Sequence, residues 1–134
     1  MNRLRSILLI AFSAVVVFSS GGHLVGASVG DSGAWLIRIG GILDLTERQR
    51  RKPLLGSGFA IPVPFGPARF HGRLLLASDG LLKFASAERI TEIALAGPVD
   101  AAAAALVEAV KMPGGGIQDD VAVLLCQANT VEGR

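Results

Sequence analysis

Carboxylates placed at strand ends are the residues of this sequence best suited to chemistry. Asp31 follows the run Ala27-Ser28-Val29-Gly30, and Asp79 follows Leu74-Leu75-Leu76-Ala77-Ser78. The pair Asp119-Asp120 precedes Val121-Ala122-Val123. Strand ends on a common sheet edge can gather such groups although they lie far apart in the chain. Crowded carboxylates repel one another unless a cation compensates. Hard oxygen ligands without neighbouring Cys or His pairs select Mg²⁺ or Mn²⁺ rather than zinc. Taken singly, each aspartate also reads as a turn residue beside Gly30, Gly80 or Gly116, because Asp and Gly dominate turns. His23 falls at the start of a hairpin strand and His71 just before another strand, and neither is expected to ligate a metal. No Ser-His-Asp or reactive-cysteine arrangement is evident.

These carboxylates need elements to position them. Four strands are expected in the first third, at about 13–18, 23–29, 33–39 and 42–45, with Gly21-Gly22 and Gly40-Gly41 as hairpin turns. Trp35 reads as an edge or core aromatic of the third strand. From Thr46 to His71 the sequence carries Pro53, Pro62, Pro64 and Pro67 with glycines at 56, 58 and 66. That stretch is expected to be a surface loop. Gly72 to Ser78 reads as a buried strand. Ser86 can cap a helix over about 87–96 whose inward face is Ile90, Ile93 and Ala94. Asp100 can cap a second helix through Lys111, with Leu106, Val107 and Val110 inward, stopped by Met112-Pro113-Gly114-Gly115-Gly116. Val121 to Cys126 closes the sheet as a last strand, and Gln127 to Arg134 is expected to fray. Strands, loop, strand, two helices and strand make an α+β layered domain rather than a βαβ parallel sheet.

The composition excludes several function classes. Of 134 residues, 51% are hydrophobic and 18% charged, which excludes a disordered chain and supports a buried core. A net charge of +2 is too small to argue for nucleic acid. The one basic run, Arg48, Arg50, Arg51 and Lys52, reads as a solvated loop. Cys126 is the only cysteine, so no internal disulfide forms, and it reads as a small buried hydrophobe. Met1 to Phe18 has the outline of an export signal, a charged start before a short apolar run. Yet Ala14 to Phe18 is rich in β-branched residues and is followed by Ser19-Ser20-Gly21-Gly22 and a second extended run, which is how a hairpin reads. The hairpin reading leads to a cytoplasmic protein without a membrane association. The alternative is a chain exported or anchored through residues 1–18.

Four segments taken together carry a family resemblance. Val29-Gly30-Asp31-Ser32-Gly33-Ala34 resembles the GDS segment of the metal-dependent (PPM, type 2C) protein serine/threonine phosphatases. Leu43-Asp44-Leu45-Thr46 resembles the L-x-L-T step that follows it. Leu75-Leu76-Ala77-Ser78-Asp79-Gly80-Leu81 matches the LLASDGL segment, and Gln118-Asp119-Asp120-Val121-Ala122-Val123 is similar to the closing D-[ND]-[IV]-T-[VL] strand. The resemblance covers about residues 13–127.

The resemblance implies a layered α-β-β-α sandwich, present here as the C-terminal portion of the catalytic domain, with residues 1–134 forming one partial domain. It implies that Asp79 and Asp119 are core ligands of a two-metal Mn²⁺ or Mg²⁺ centre, and that Asp31 belongs to a third site. It implies hydrolysis of phosphoserine and phosphothreonine by a metal-activated water, without a phosphoenzyme. The implied partners are phosphorylated proteins, with a cognate serine/threonine kinase as a further candidate and no nucleic acid. The family's DG-x-GG motif, whose aspartate bridges both metals, has no match, and no carboxylate precedes Asp31. Local departures are Gly33 where many members have Arg, Lys83 where some have an acidic ligand, Asp120 where many have Asn, and Ala122 where Thr is common. The alternative function is an inactive pseudophosphatase or a phosphoprotein-binding module.

Overall fold

The computed structural model describes residues 13–48, 61–116 and 120–128. Strand β1 (Ala14–Ser20) turns at Gly21-Gly22 into β2 (His23–Val29). Both turn glycines have positive φ, 59° and 79°, the conformation a tight hairpin demands. Strand β3 (Gly33–Arg38) turns through Gly40 into β4 (Gly41–Asp44). After β5 (Val63–Arg69) and β6 (Arg73–Ala77) come helices α1 (Asp79–Leu82), α2 (Ala87–Ala94) and α3 (Val99–Glu108), then strand β7 (Val123–Gln127).

The strands form two antiparallel sheets. One has the order β1-β2-β5 and the other β4-β3-β6-β7. Alternation along the strands decides what each face meets. Leu24, Leu36 and Leu74 are buried between the sheets, with Val17, Leu45, Ala68, Phe70, Leu76 and Cys126 packed around them. The opposite face of the four-stranded sheet carries Ile37, Leu75 and Leu125 against Ile90, Ala94, Ala102 and Leu106 of the helices. Each fully buried Leu or Ile stabilises the fold by about 2 kcal/mol. The expected α+β layering is therefore present as sheet, sheet and helices. The outer face of the three-stranded sheet instead exposes Val16, Phe18 and Val25, and no helix layer covers it among the described residues.

The expected hairpins form at both glycine pairs, and Ser86 caps α2 by accepting a hydrogen bond from the Arg89 N–H at 3.2 Å. Trp35 lies on an interior strand and packs against the helix-side core. Arg73 ties α2 to the sheet, donating to Gln127 Oε1 at 2.7 Å, Ala94 O at 2.8 Å and Gly97 O at 2.6 Å. No described helix is long and apolar enough to cross a membrane.

Several expectations need correcting. The stretch from Thr46 to His71 is not all loop, because Val63–Arg69 is β5, paired with β2. Its prolines are tolerated because β5 is an edge strand, and a bulge opposite Leu24 and Gly26 takes up the extra residue around Gly66 and Pro67. Asp100 does not cap α3. Pro98 stands at the cap, and Asp100 lies in the first turn, where its carboxylate accepts from the Ala101 N–H at 2.9 Å. The short helix α1 is an element the apolar pattern does not signal, being only a single turn. Strand β7 starts two residues later than expected, and Cys126 is half-buried. The expectations for residues 1–12, Arg50, Arg51, Lys52, Pro53 and Asp119 fall outside the described residues.

Candidate metal centre

Register decides which acidic segments meet. Gly33 opens β3 opposite Ala77, the last residue of β6, and Ala77 in turn lies opposite Val123, the first residue of β7. One edge of the four-stranded sheet is thus lined by the approach to β3, the exit from β6 and the approach to β7. Asp31 lies two residues before Gly33 and Asp79 two residues after Ala77, while 119 and 120 lead into Val123. Both histidines sit elsewhere: His23 pairs with Ser20 at the far end of the first hairpin, and His71 precedes β6 at its opposite end.

Local chemistry fixes these segments. Asp31 lies in the crossing from β2 to β3, where Gly30 adopts φ 85° to reverse the chain. Ser32 Oγ lies 2.6 Å from Ser13 Oγ and ties the crossing to the start of β1. One oxygen of Asp31, Oδ1, is shielded from solvent. On the other side, Ser78 binds the segment leading into β7 three times. Its N–H donates to Ala122 O at 3.0 Å, and its Oγ accepts from the Ala122 N–H at 2.8 Å and donates to Asp120 O at 3.2 Å. Gly80 is pressed against the Asp120 carbonyl so closely that a Cβ there would overlap it. The Asp79 turn and residue 120 are therefore neighbours through their backbones.

Two positions that sequence reasoning did not assign support this edge. Thr46 is buried, its hydroxyl accepting from the Ala34 N–H at 3.2 Å and donating to Asp44 Oδ1 at 2.8 Å. The same Asp44 oxygen accepts from the Thr46 N–H at 2.9 Å. The Leu43-Asp44-Leu45-Thr46 segment thus pins the start of β3, two residues beyond Ser32. Its sequence signal was the L-x-L-T pattern; for Ser78 it was its place in the LLASDGL segment beside Asp79. Gly33 is held small by Leu82, whose Cδ1 would lie 2.6 Å from an added Cβ, so this edge has no room there for a longer side chain without moving Leu82. Lys83 caps α1 through its N–H to Asp79 O at 2.9 Å and places its ammonium 5.8 Å from the Phe84 ring centroid.

The donor set at this edge, carboxylate oxygens with no thiolate or imidazole, fits a hard divalent cation. Among the described residues, however, no three His, Cys, Asp or Glu side chains converge as a metal site. Asp119 lies outside the described residues, so the edge brings together the Asp31, Asp79 and Asp120 segments without giving the geometry of the full set. The Thr46 prop is testable. Thr46→Val strips the acceptor from a buried N–H and is expected to cost about 1–3 kcal/mol, seen as a lower urea midpoint, while Thr46→Ser stays close to the parent. Equal midpoints for the Val and parent proteins would remove Thr46 from this account.

Solved structures share this fold. A bacterial serine phosphatase carrying an arginine-to-alanine substitution superposes with a TM-score of 0.77 at 21% identity, over 96% of this chain and 64% of that one. The Mycobacterium tuberculosis serine/threonine phosphatase PstP/Ppp gives 0.75 at 20% identity, over 96% and 69% of the two chains. The PstP catalytic domain in complex with two manganese ions gives 0.68 at 24% identity, over 90% and 65%. No protein-family model and no curated protein matches the sequence. The chain has the fold of the PPM-type serine/threonine phosphatases, and it spans about two thirds of the length of these solved chains.

Proposed function

We propose that this chain supplies the Asp79, Asp119 and Asp31 carboxylates of a metal-dependent protein serine/threonine phosphatase. The observation that carries the reading is the Gly33–Ala77–Val123 register, which lines three acidic segments along one sheet edge. Asp79 and Asp119 would hold core Mn²⁺ or Mg²⁺ ions, and Asp31 a further one. Paired divalent ions, when bound, lower the pKa of water and neutralise charge on a transferring phosphoryl group. The chain's own contribution is positioning: the Ser78 bonds hold the Asp79 turn against residues 120–122, and Thr46 and Ser32 hold the Asp31 crossing. The substrates would be phosphoserine and phosphothreonine in proteins, with a cognate kinase as a candidate partner.

Calorimetry tests the ligands. Mn²⁺ is expected to bind weakly to the chain and to give no saturable heat with an Asp79→Asn, Asp119→Asn double variant. Identical heats from the two proteins would sink the assignment. A second reading of the same segments is a phosphoprotein-binding module without turnover. Metal binding without phosphate-ester turnover would support it.

A further inference from the structure

A second charged cleft lies at the end of the four-stranded sheet opposite the carboxylate edge. It has a volume of ≈ 470 Å³ and is lined by Arg38 from the end of β3, His71 and Gly72 before β6, Arg73 opening β6, and Gln127 closing β7. Among the described residues the lining contains no Asp or Glu. Among the described residues the sole ion pair is Lys111–Glu108, so neither guanidinium is neutralised by a carboxylate there. Arg73 is held rigidly, but all three acceptors it meets, Gln127 Oε1, Ala94 O and Gly97 O, are neutral. Arg38 Nη1 lies 3.0 Å from His71 Nε2, and as a guanidinium it can only donate, so His71 accepts there and presents its Nδ1–H elsewhere. Both guanidinium groups keep N–H donors uncommitted in the described contacts. One anchored and one exposed guanidinium, spare donors and no counter-charge among the described residues make a cleft complementary to a planar or tetrahedral oxyanion.

We propose that this cleft is an anion-binding site that docks an acidic or phosphorylated segment of a protein, separate from the metal centre. The bearer is argued from Ile39, which lines the same cleft and is 94% exposed. A free ion gains nothing from an exposed isoleucine, whereas a peptide carrying a carboxylate or phosphate covers it. Arg73 and Asp79 are six residues apart along nearly straight chain, roughly 20 Å at strand spacing, so an anion bound here cannot be the group at the carboxylate edge. The docked segment would be part of a substrate only if the phosphatase reading holds; the anion site itself does not depend on it.

The test is a backbone-amide NMR titration of the full chain in EDTA, which keeps the outcome independent of metal binding. Inorganic phosphate and a phosphoserine peptide with apolar flanks are the two probes. Both are expected to shift Gly72 and Gln127 saturably while leaving Gly80 and Val121 in place, with the peptide binding tighter. Arg38→Gln is expected to weaken both by about fivefold, the size of one exposed charge contact, and Arg38→Lys to recover part of it. No saturable shift at Gly72 and Gln127, or equal affinity in Arg38→Gln, would overturn the site. Equal binding of phosphate and peptide would overturn the docking of a protein segment.

Discussion

Given Mn²⁺ and p-nitrophenyl phosphate, this chain by itself is expected to turn over no faster than its own Asp79→Asn variant. Two-metal catalysis needs ions held about 3.5–4 Å apart, a spacing that a shared carboxylate enforces. On the proposed assignment Asp79 and Asp119 serve one ion, and within these residues no Asp or Glu precedes Asp31 to fix a second. Removing a single hydrogen-bond donor from a transition state costs about 10²–10³ in rate, and losing a positioned divalent cation costs at least as much. The expected deficit is therefore on the order of 10³, or about 4 kcal/mol, relative to a chimera that places a DG-x-GG segment ahead of residue 13. Turnover by the chain equal to that of the chimera, abolished by Asp79→Asn, would mean that a complete site exists within these residues.

Gly80→Ala is expected to be the most damaging single substitution at the carboxylate edge. An added Cβ would overlap the Asp120 carbonyl oxygen and lie 3.0 Å from both Asp120 C and Val121 Cγ2. The obstacle is backbone, and the Ser78 bonds to Asp120 and Ala122 hold it in place, so the strain cannot be relieved by a side-chain rotation. The cost should be about 3 kcal/mol, the upper range for overpacking, with a fall in Tm on the order of 10 °C. Because the substitution pries the approach to β7 away from the Asp79 turn, Mn²⁺ affinity should fall with it. Gly114→Ala is the control, since nothing lies within 4 Å of a Cβ there, and it should leave Tm nearly unchanged. A Gly80→Ala protein that melts with the parent and binds Mn²⁺ equally well would show that the two segments do not need this contact.

The cost at Gly80 could not be foreseen from its sequence context, since a glycine after aspartate reads first as a turn residue. Ser78 likewise carries no strong signal of its own. Its three bonds reach residues 42 and 44 positions onward, and a partner that distant becomes visible only when the strands are laid side by side.

What the sequence determined by itself is local. The β-branched run from Ala14, the glycine pairs at 21–22 and 40–41, and Ser86 ahead of a helical apolar stripe each act within a few residues, and each forms the element it predicts. The positions of Asp31 and Asp79 at strand ends are legible for the same reason, because strand ends can be read from apolar runs. The tertiary structure decided everything that depends on which strand lies beside which. It made Val63–Arg69 a strand despite Pro64 and Pro67, because a sheet edge does not require every N–H. It moved the cap of the last helix to Pro98, where the packing of Ala102 and Leu106 outweighs the capping preference of Asp100. It also divided the strands into two sheets and set Gly33, Ala77 and Val123 in one line, bringing segments 31, 79 and 120 to a common edge. Side-chain alternation specifies the face of a strand and not its neighbour; the neighbour follows from burying two apolar layers, Leu24, Leu36 and Leu74 on one side and Ile37, Leu75 and Leu106 on the other, at the same time.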